Sequence, residues 1–442
     1  MPFDTLTVGD LPAYTFPKSA KKVAIIGAGI TGLGAARMLG HTHEVTLFEA
    51  EKRLGGHART RMAGKNGDQP VDTGFIVYNE ANYPFMTALF RQLDVPVVKS
   101  NMSFGASIDG GALEYALTSL DALFAQRRNA VSPAFLGMVR DIIKFNKNAV
   151  RVARDETLTL REFLQKLGTG EWFTKYYLLP LSGAIWSTPT EKIMDFPAYA
   201  MIRFFENHAL LGVNGQHQWY TVQGGSIEYV RRLEAVLQGM GTDLRCGAPV
   251  QSVRREGGRV LVRPWGGEEE VFDHVVFATH SDDSLKLLSD PTPQETAALG
   301  AVAYQPNDIV LHADERMMPK RKKTWASWVY TEDRAAKSDR IDLTYWMNSL
   351  QPIPKNDPHF ITLNTKRTIR EELIYDQVTL RHPVYDLAAL AAQKDIAQFN
   401  GSRNTWFCGA WMKNGFHEDG LSSAVDVVRA LRRAAVGQVA AA

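Results

Sequence analysis

The sequence predicts an α/β fold in two parts: a Rossmann-type domain built on a parallel sheet, with an α+β domain inserted into it. Three observations carry the prediction. A β-branched apolar run, a glycine-rich turn and a helix-forming segment follow one another near the start. Strand-like runs of the same kind return in the middle of the chain and near its end. The stretches between them change to helical periodicity and then to alternating strands. At 442 residues the chain is too long for one hydrophobic core and long enough for two domains.

The run Lys22-Val-Ala-Ile-Ile-Gly27 has the composition of a buried parallel strand. Gly27-Ala-Gly29-Ile30-Thr31-Gly32 follows, then Leu33 to Leu39 with helical composition, then a second strand, Glu44 to Glu49, ending in an acid. In such a unit Gly27 permits the tight turn, Gly29 lets backbone approach a pyrophosphate, and Gly32 lets the helix pack on the sheet. The helix N-terminus points N–H groups and positive dipole at the phosphates. Glu49 follows Gly27 by 22 residues, the position of a carboxylate that grips ribose hydroxyls. These elements in order predict a dinucleotide site.

Bulk properties exclude several other classes. Hydrophobic residues make up 45% and charged residues 22%, values of a globular enzyme, and a net charge of +2 gives no reason to expect nucleic acid. Cys246 and Cys408 are the only cysteines and lie far apart, which argues against a disulfide framework or a CxxC redox centre and fits a reducing cytoplasm. Residues Met1 to Lys22 lack an apolar core and do not read as a signal peptide. No metal-ligand pattern stands out, and the sequence leaves the oligomeric state open.

The segment Arg53-Leu-Gly55-Gly56-His57-Ala58-Arg59-Thr60 resembles the R-x-G-G-R-x-x-[ST] signature of FAD-dependent amine oxidases and phytoene desaturases. The resemblance implies FAD, with the glycine pair and its neighbours along the pyrophosphate and ribityl chain. His57 stands where the family has arginine, leaving Arg53 or Arg59 to supply the charge. Asp72-Thr-Gly74-Phe75-Ile76-Val77 resembles the family strand that passes near the flavin. Val250 falls at a position that contacts adenine, and Ala278 closes the strand returning to the cofactor domain. Gly409-Ala410 and the later Gly420-Leu421 resemble the turn and helix start that hold the ribityl chain and face the flavin, with Ala410 in place of the usual aspartate. Ala50, beside Glu49, completes the implied contacts. On this resemblance residues 20–80, 223–290 and 400–435 form a discontinuous FAD-binding domain. Residues 81–222, read as largely helical, and 291–399 form the substrate-binding domain.

Within the second part, strands around Trp325 to Tyr330 and Thr344 to Met347 present aromatics that either line a cavity or pack in the core. An aromatic helix runs from Pro197 to Leu211 and carries His208. The helix from Ser132 to Asp155 repeats Arg140, Lys144, Lys147, Arg151 and Arg154 at spacings of 4, 3, 4 and 3, opposite Phe135, Val139, Ile142, Val150 and Ala153. Such a stripe is either a solvated face or a surface for anionic lipid. A second basic cluster, Arg316 to Lys323, includes exposed-looking methionines.

Several phrases resemble one bacterial subgroup of the family, associated with cyclopropane-fatty-acid-synthase-type lipid methyltransferases. They are Ala184 to Thr188, Phe204 to Leu211, Thr344 to Gln351, His382 to Asp386 and Gly415 to Leu421. That resemblance implies an oxidoreductase desaturating a methyl-branched lipid acyl chain; the cysteine usage and the two basic patches lead us to expect it in the cytoplasm, with peripheral contact at the inner face of the membrane. A soluble amine or amino-acid oxidase and an FAD-dependent non-redox isomerase are the alternatives. His417, Glu418 and His208 are the candidate proton-transfer groups.

Overall fold

The computed structural model of the chain describes residues 21–155, 157–186, 193–212, 217–332 and 340–440. The N-terminal segment 1–20, and Ser187 and Thr188 of the Ala184 phrase, lie outside the described residues.

One sheet is wholly parallel, in the order Asp243–Cys246, Glu44–Glu49, Lys22–Ile26, His274–Phe277, Thr405–Phe407. Its strands come from three distant stretches, within 20–80, 223–290 and 400–435. Side chains alternate across a strand, and in Lys22–Ile26 both faces are apolar because both are covered. Val23 and Ile25 pack with the helices Ile30–Leu39 and His417–Ala440. Ala24 and Ile26 pack with Val253, Val260 and Val262 of a small antiparallel sheet. The first and last helices meet closely, since a Cβ on Gly34 would lie 2.4 Å from Leu421.

The second large sheet runs Ile374–Val384, Ala303–His312, Phe360–Leu363, Asp342–Trp346, Trp328–Glu332, Phe104–Ile108, Leu113–Ala116. Pairing is antiparallel except between Trp328–Glu332 and Phe104–Ile108. The helices Pro133–Val152, Leu160–Leu167, Leu179–Trp186 and Ala198–Asn207 share one apolar core with this sheet.

Helices make up most of the regular structure in residues 81–222, and short strands join them. The strands Val97–Ser100, Phe104–Ile108 and Leu113–Ala116 lie within that stretch. Phe104-Gly-Ala-Ser-Ile108 has little intrinsic strand preference; its pairing with Trp328–Glu332, more than 200 residues away, makes it a strand. The basic helix spans Pro133–Val152, with the Ser132 hydroxyl accepting from the Phe135 N–H and proline in the first turn. It buries Phe135, Met138, Phe145 and Ala149; its four basic residues, Arg140, Lys144, Lys147 and Arg151, are exposed, as is Arg154 just beyond its end. Met317 and Met318 are buried, contrary to their exposed-looking context. No helix among the described residues is long and apolar enough to cross a membrane.

Candidate active site and cofactor cradle

A cavity of about 690 Å³ starts at the C-terminal ends of the parallel strands and reaches the second sheet, the crevice where α/β sheets bind ligands. Its first wall is the glycine turn. Gly27 adopts φ +99° and donates its N–H to Phe48 O, while a Cβ on Gly32 would lie 1.8 Å from Gly27 O. Gly32 is therefore off the wall and serves the packing of turn on helix. Gly29 is the N-cap of Ile30–Leu39 with no side-chain cap, and a Cβ there would meet nothing within 4 Å. Gly29, Ile30 and Thr31 face the cavity. A bare helix N-terminus opening on a cavity suits a pyrophosphate. Glu49 holds the turn, accepting from the Ala28 N–H at 2.7 Å and the Glu51 N–H at 2.8 Å. Ala50, Val250 and Ala278 complete this nucleotide end.

The second glycine turn lies against the first. Gly55 and Gly56 have φ +109° and +55°, the Gly55 N–H donates to Ala28 O, and a Cβ on Gly56 would lie 3.1 Å from the Gly29 Cα. Gly55, Gly56 and His57 are on the wall, followed by Gly74, Phe75 and Ile76. Ala58 is buried behind them. Neither arginine supplies the charge expected in place of the family arginine. Arg53 donates to Gly56 O and Ala58 O. Arg59 is buried against Thr73 and forms a two-pronged pair with Asp376 of the second sheet. The cations that do reach the wall, Lys286 and Arg381, were not anticipated from the sequence; both are paired with Asp282 and Asp283.

Gly409 and Ala410 line the cavity, whereas Gly420 and Leu421 do not. A Cβ on Gly420 would lie 2.6 Å from Thr31 Oγ1, and Leu421 is fully buried against Gly34. Both lock the last helix to the first. The cradle fits a dinucleotide flavin: two glycine turns back to back, a bare helix start, an anchored carboxylate and a third glycine turn further along the wall.

At the inner end the wall carries four histidines: His57, His280, His382 and His417. The His57 ring lies 6.0 Å from that of His280 and 5.4 Å from that of His382. Burial lowers the pKa of all four, to about 4 for His280 and about 3 for His382 and His417, so the cluster is uncharged at neutral pH. A relay sets the tautomer of His382. Asn364 donates to Asn307 Oδ1 at 2.8 Å, and Asn307 Nδ2 donates to His382 Nδ1 at 2.9 Å, so the ring proton is on Nε2. The carboxylates beside His280 are already held by Arg381 and Lys286.

Of the three proposed proton-transfer groups, only His417 reaches the cavity. It stacks on Phe75 at 4.0 Å and bonds the Tyr229 hydroxyl at 3.2 Å. His208 is buried, bonds Phe204 O and stacks on the Phe204 ring at 3.9 Å, off the cavity wall. Glu418 accepts the Phe85 and Met86 N–H groups and so caps the helix Pro84–Gln92. Neither is placed for chemistry, because both are spent on local hydrogen bonds. Burial pushes Glu418 up to about 8 from its usual 4.5. A carboxyl raised in the fold stabilises fully below its unfolded pKa and loses that contribution as pH rises through the folded value. The advantage in melting temperature of the wild type over Glu418→Gln is therefore expected to shrink between about pH 4.5 and about pH 8; parallel melting curves across that range would refute it.

Beyond the cradle the wall is formed by Met102, Ile185, Trp219, Trp328, Tyr345 and Phe416. Alternation along the strand Asp342–Trp346 sends Tyr345 and Trp346 to opposite faces. Trp328 and Tyr345 face the cavity with rings 5.5 Å apart, while Trp325 and Trp346 pack on each other.

Comparison with known proteins agrees with this construction. The family model for flavin-containing amine oxidoreductases matches residues 30–359. A putative flavin-containing monoamine oxidase of Mycobacterium tuberculosis is 25% identical over 299 residues, 63% of this chain and 61% of that protein. An L-amino-acid oxidase of Bothrops pauloensis is 50% identical over 48 residues, 11% of this chain, so the chain matches only 10% of that relative's length. The crystal structure of a fatty acid isomerase from P. acnes that produces CLA superposes with a TM-score of 0.66, at 14% identity, covering 92% of this chain and 98% of that one; at that identity the likeness is one of fold. With the matched model covering most of its length, the chain belongs to the flavin-containing amine oxidoreductases, and FAD is the cofactor that its glycine cradle holds.

Proposed function

We propose that this protein oxidises an apolar substrate, desaturating a methyl-branched lipid acyl chain, and that it belongs to the subgroup associated with lipid methyltransferases. The observation that carries the reading is the distribution of charge in the cavity. The charged side chains on its wall are Glu49, Asp283, Lys286 and Arg381. Glu49 ends a strand of the nucleotide fold, Asp283 and Lys286 lie on the helix following Ala278, and Arg381 is paired to that helix. Around Met102, Trp219, Trp328 and Phe416 the wall is uncharged among the described residues. An amino-acid substrate would leave its carboxylate there without a cation, a costly burial. A hydrocarbon chain fits without penalty.

FAD supplies the acceptor for two electrons and a hydrogen leaving carbon as hydride. The protein holds the chain against the cofactor and keeps water out. A proton must also leave the adjacent carbon. His417, uncharged and on the wall, would accept it at Nδ1, with its Nε2–H donating to the Tyr229 hydroxyl and so fixing the ring. His382, with its proton on Nε2, serves as a hydrogen-bond donor rather than a base.

Anaerobic mixing of the FAD-loaded protein with methyl-branched unsaturated phospholipid is expected to bleach the flavin and give a product lacking two hydrogens. His417→Gln should slow bleaching roughly a hundredfold, within the usual range for a general base, without loss of bound FAD. The Trp328–Tyr345 pair also suits a cationic amine. Bleaching by amines alone would favour that second reading, and a lipid product of unchanged mass would favour the isomerase.

A further inference from the structure

We propose that the surface formed by Leu117–Val131 and the outer face of the helix Pro133–Val152 docks on an anionic lipid bilayer. Among the described residues eleven large hydrophobic side chains are exposed, and five of them, Leu117, Leu120, Val131, Leu136 and Ile143, fall between residues 117 and 143. Chance would place fewer than one there. Leu120, Val131 and Ile143 are 77%, 80% and 61% exposed, so their apolar surface faces solvent.

These segments are packed on one another. Phe124, closing the short helix Leu120–Leu123, contacts Phe135 of the long helix at 5.7 Å. Lys323 of the second basic cluster pairs with Asp121 at 2.9 Å, bringing that cluster alongside. On the long helix Leu136, Arg140, Ile143 and Lys147 follow at spacings of 4, 3 and 4, so cations and apolar side chains share one stripe. Neighbouring carboxylates are already engaged. Asp121 is shared by Arg127 and Lys323, Glu315 is held by Lys322, and Asp141 is buried with Gly170.

A surface that only kept the protein soluble would not expose leucine, valine and isoleucine between its cations. Protruding apolar side chains ringed by lysine and arginine match a bilayer interface, where the chains enter the headgroup layer and the cations meet anionic lipid. A second protein copy would present the same positive charge and be repelled. The inference stands apart from the acyl-chain reading, since association requires no turnover.

The test is sedimentation of the FAD-loaded full chain with phosphatidylcholine vesicles, with and without phosphatidylglycerol. Binding is expected only to the anionic vesicles, weakened but not abolished by salt. Arg140→Gln with Lys147→Gln should weaken it roughly thirtyfold. Leu120→Ser, Val131→Ser and Ile143→Ser together should weaken it roughly a hundredfold. Flavin absorbance and melting temperature, read on the same samples, should not change. Wild-type protein left in the supernatant, or a triple variant that binds as the wild type does, would overturn the proposal. So would self-association that the triple variant abolishes in the absence of vesicle binding.

Discussion

Replacing Gly29 by alanine is expected to leave a folded protein that no longer retains FAD. Gly29 has φ −71° and ψ −178°, extended backbone that alanine adopts freely, and its new Cβ would meet no protein atom within 4 Å. The apoprotein should lose nothing, and could gain about 0.5 kcal/mol from a stiffer unfolded chain. The methyl would instead occupy the space where backbone must approach the pyrophosphate. Displacing that contact should cost roughly 3 kcal/mol, about a hundredfold in FAD affinity. Gly32→Ala is the counterpart. Its Cβ would lie 1.8 Å from Gly27 O, a clash relieved only by moving the turn or the helix, so the fold itself should lose roughly 3 kcal/mol or more. Titration of FAD into each apoprotein, beside its melting curve, separates the two. A Gly29→Ala variant with wild-type FAD affinity would remove the pyrophosphate from this turn.

That contrast shows what was legible in the sequence. The strand Lys22–Ile26, the helix Ile30–Leu39 and the strand Glu44–Glu49 could be read from it because glycine chemistry and apolar periodicity are local properties. Roles that depend on distant partners could not. Arg59 reads as a cofactor contact until Asp376, 317 residues on, takes both its prongs. Glu418 reads as an acid–base candidate until the helix Pro84–Gln92, over 330 residues earlier, presents its N-terminus to it. Gly420 and Leu421 were assigned to the cofactor by motif, but the packing of the first helix against the last claims them. The histidine cluster joins His57, His280 and His382 from three separate segments, and only the fold brings them to one wall. The cofactor half was thus readable as a motif, and the reacting half is a product of tertiary contact.

Substitution of Asp72 should cost the fold heavily. Its carboxylate is 1% exposed and accepts the Ser226 N–H, the Ser226 hydroxyl at 2.7 Å, the Thr60 hydroxyl at 2.6 Å and the Gln351 amide at 2.9 Å. It thereby ties the strand Gln69–Asp72 to the turn after Gly224 and to Gln351, which follows the helix Met347–Leu350 beside the second sheet. Burial raises its pKa to about 6, with the donated hydrogen bonds opposing the shift, so at neutral pH the group is a carboxylate that uses both oxygens. Asp72→Ala would strand several buried donors at once and should destabilise by roughly 3–5 kcal/mol. Asp72→Asn keeps the shape and one acceptor but turns an N–H toward groups that also donate, and should cost roughly 1–3 kcal/mol. Urea unfolding followed by tryptophan fluorescence measures both. Because Asp72 leads directly into Gly74 and Phe75 of the cavity wall, the alanine variant should also release FAD at urea concentrations below its unfolding midpoint. If FAD release and unfolding instead coincide in this variant as in the wild type, Asp72 holds the fold as a whole and not the wall in particular.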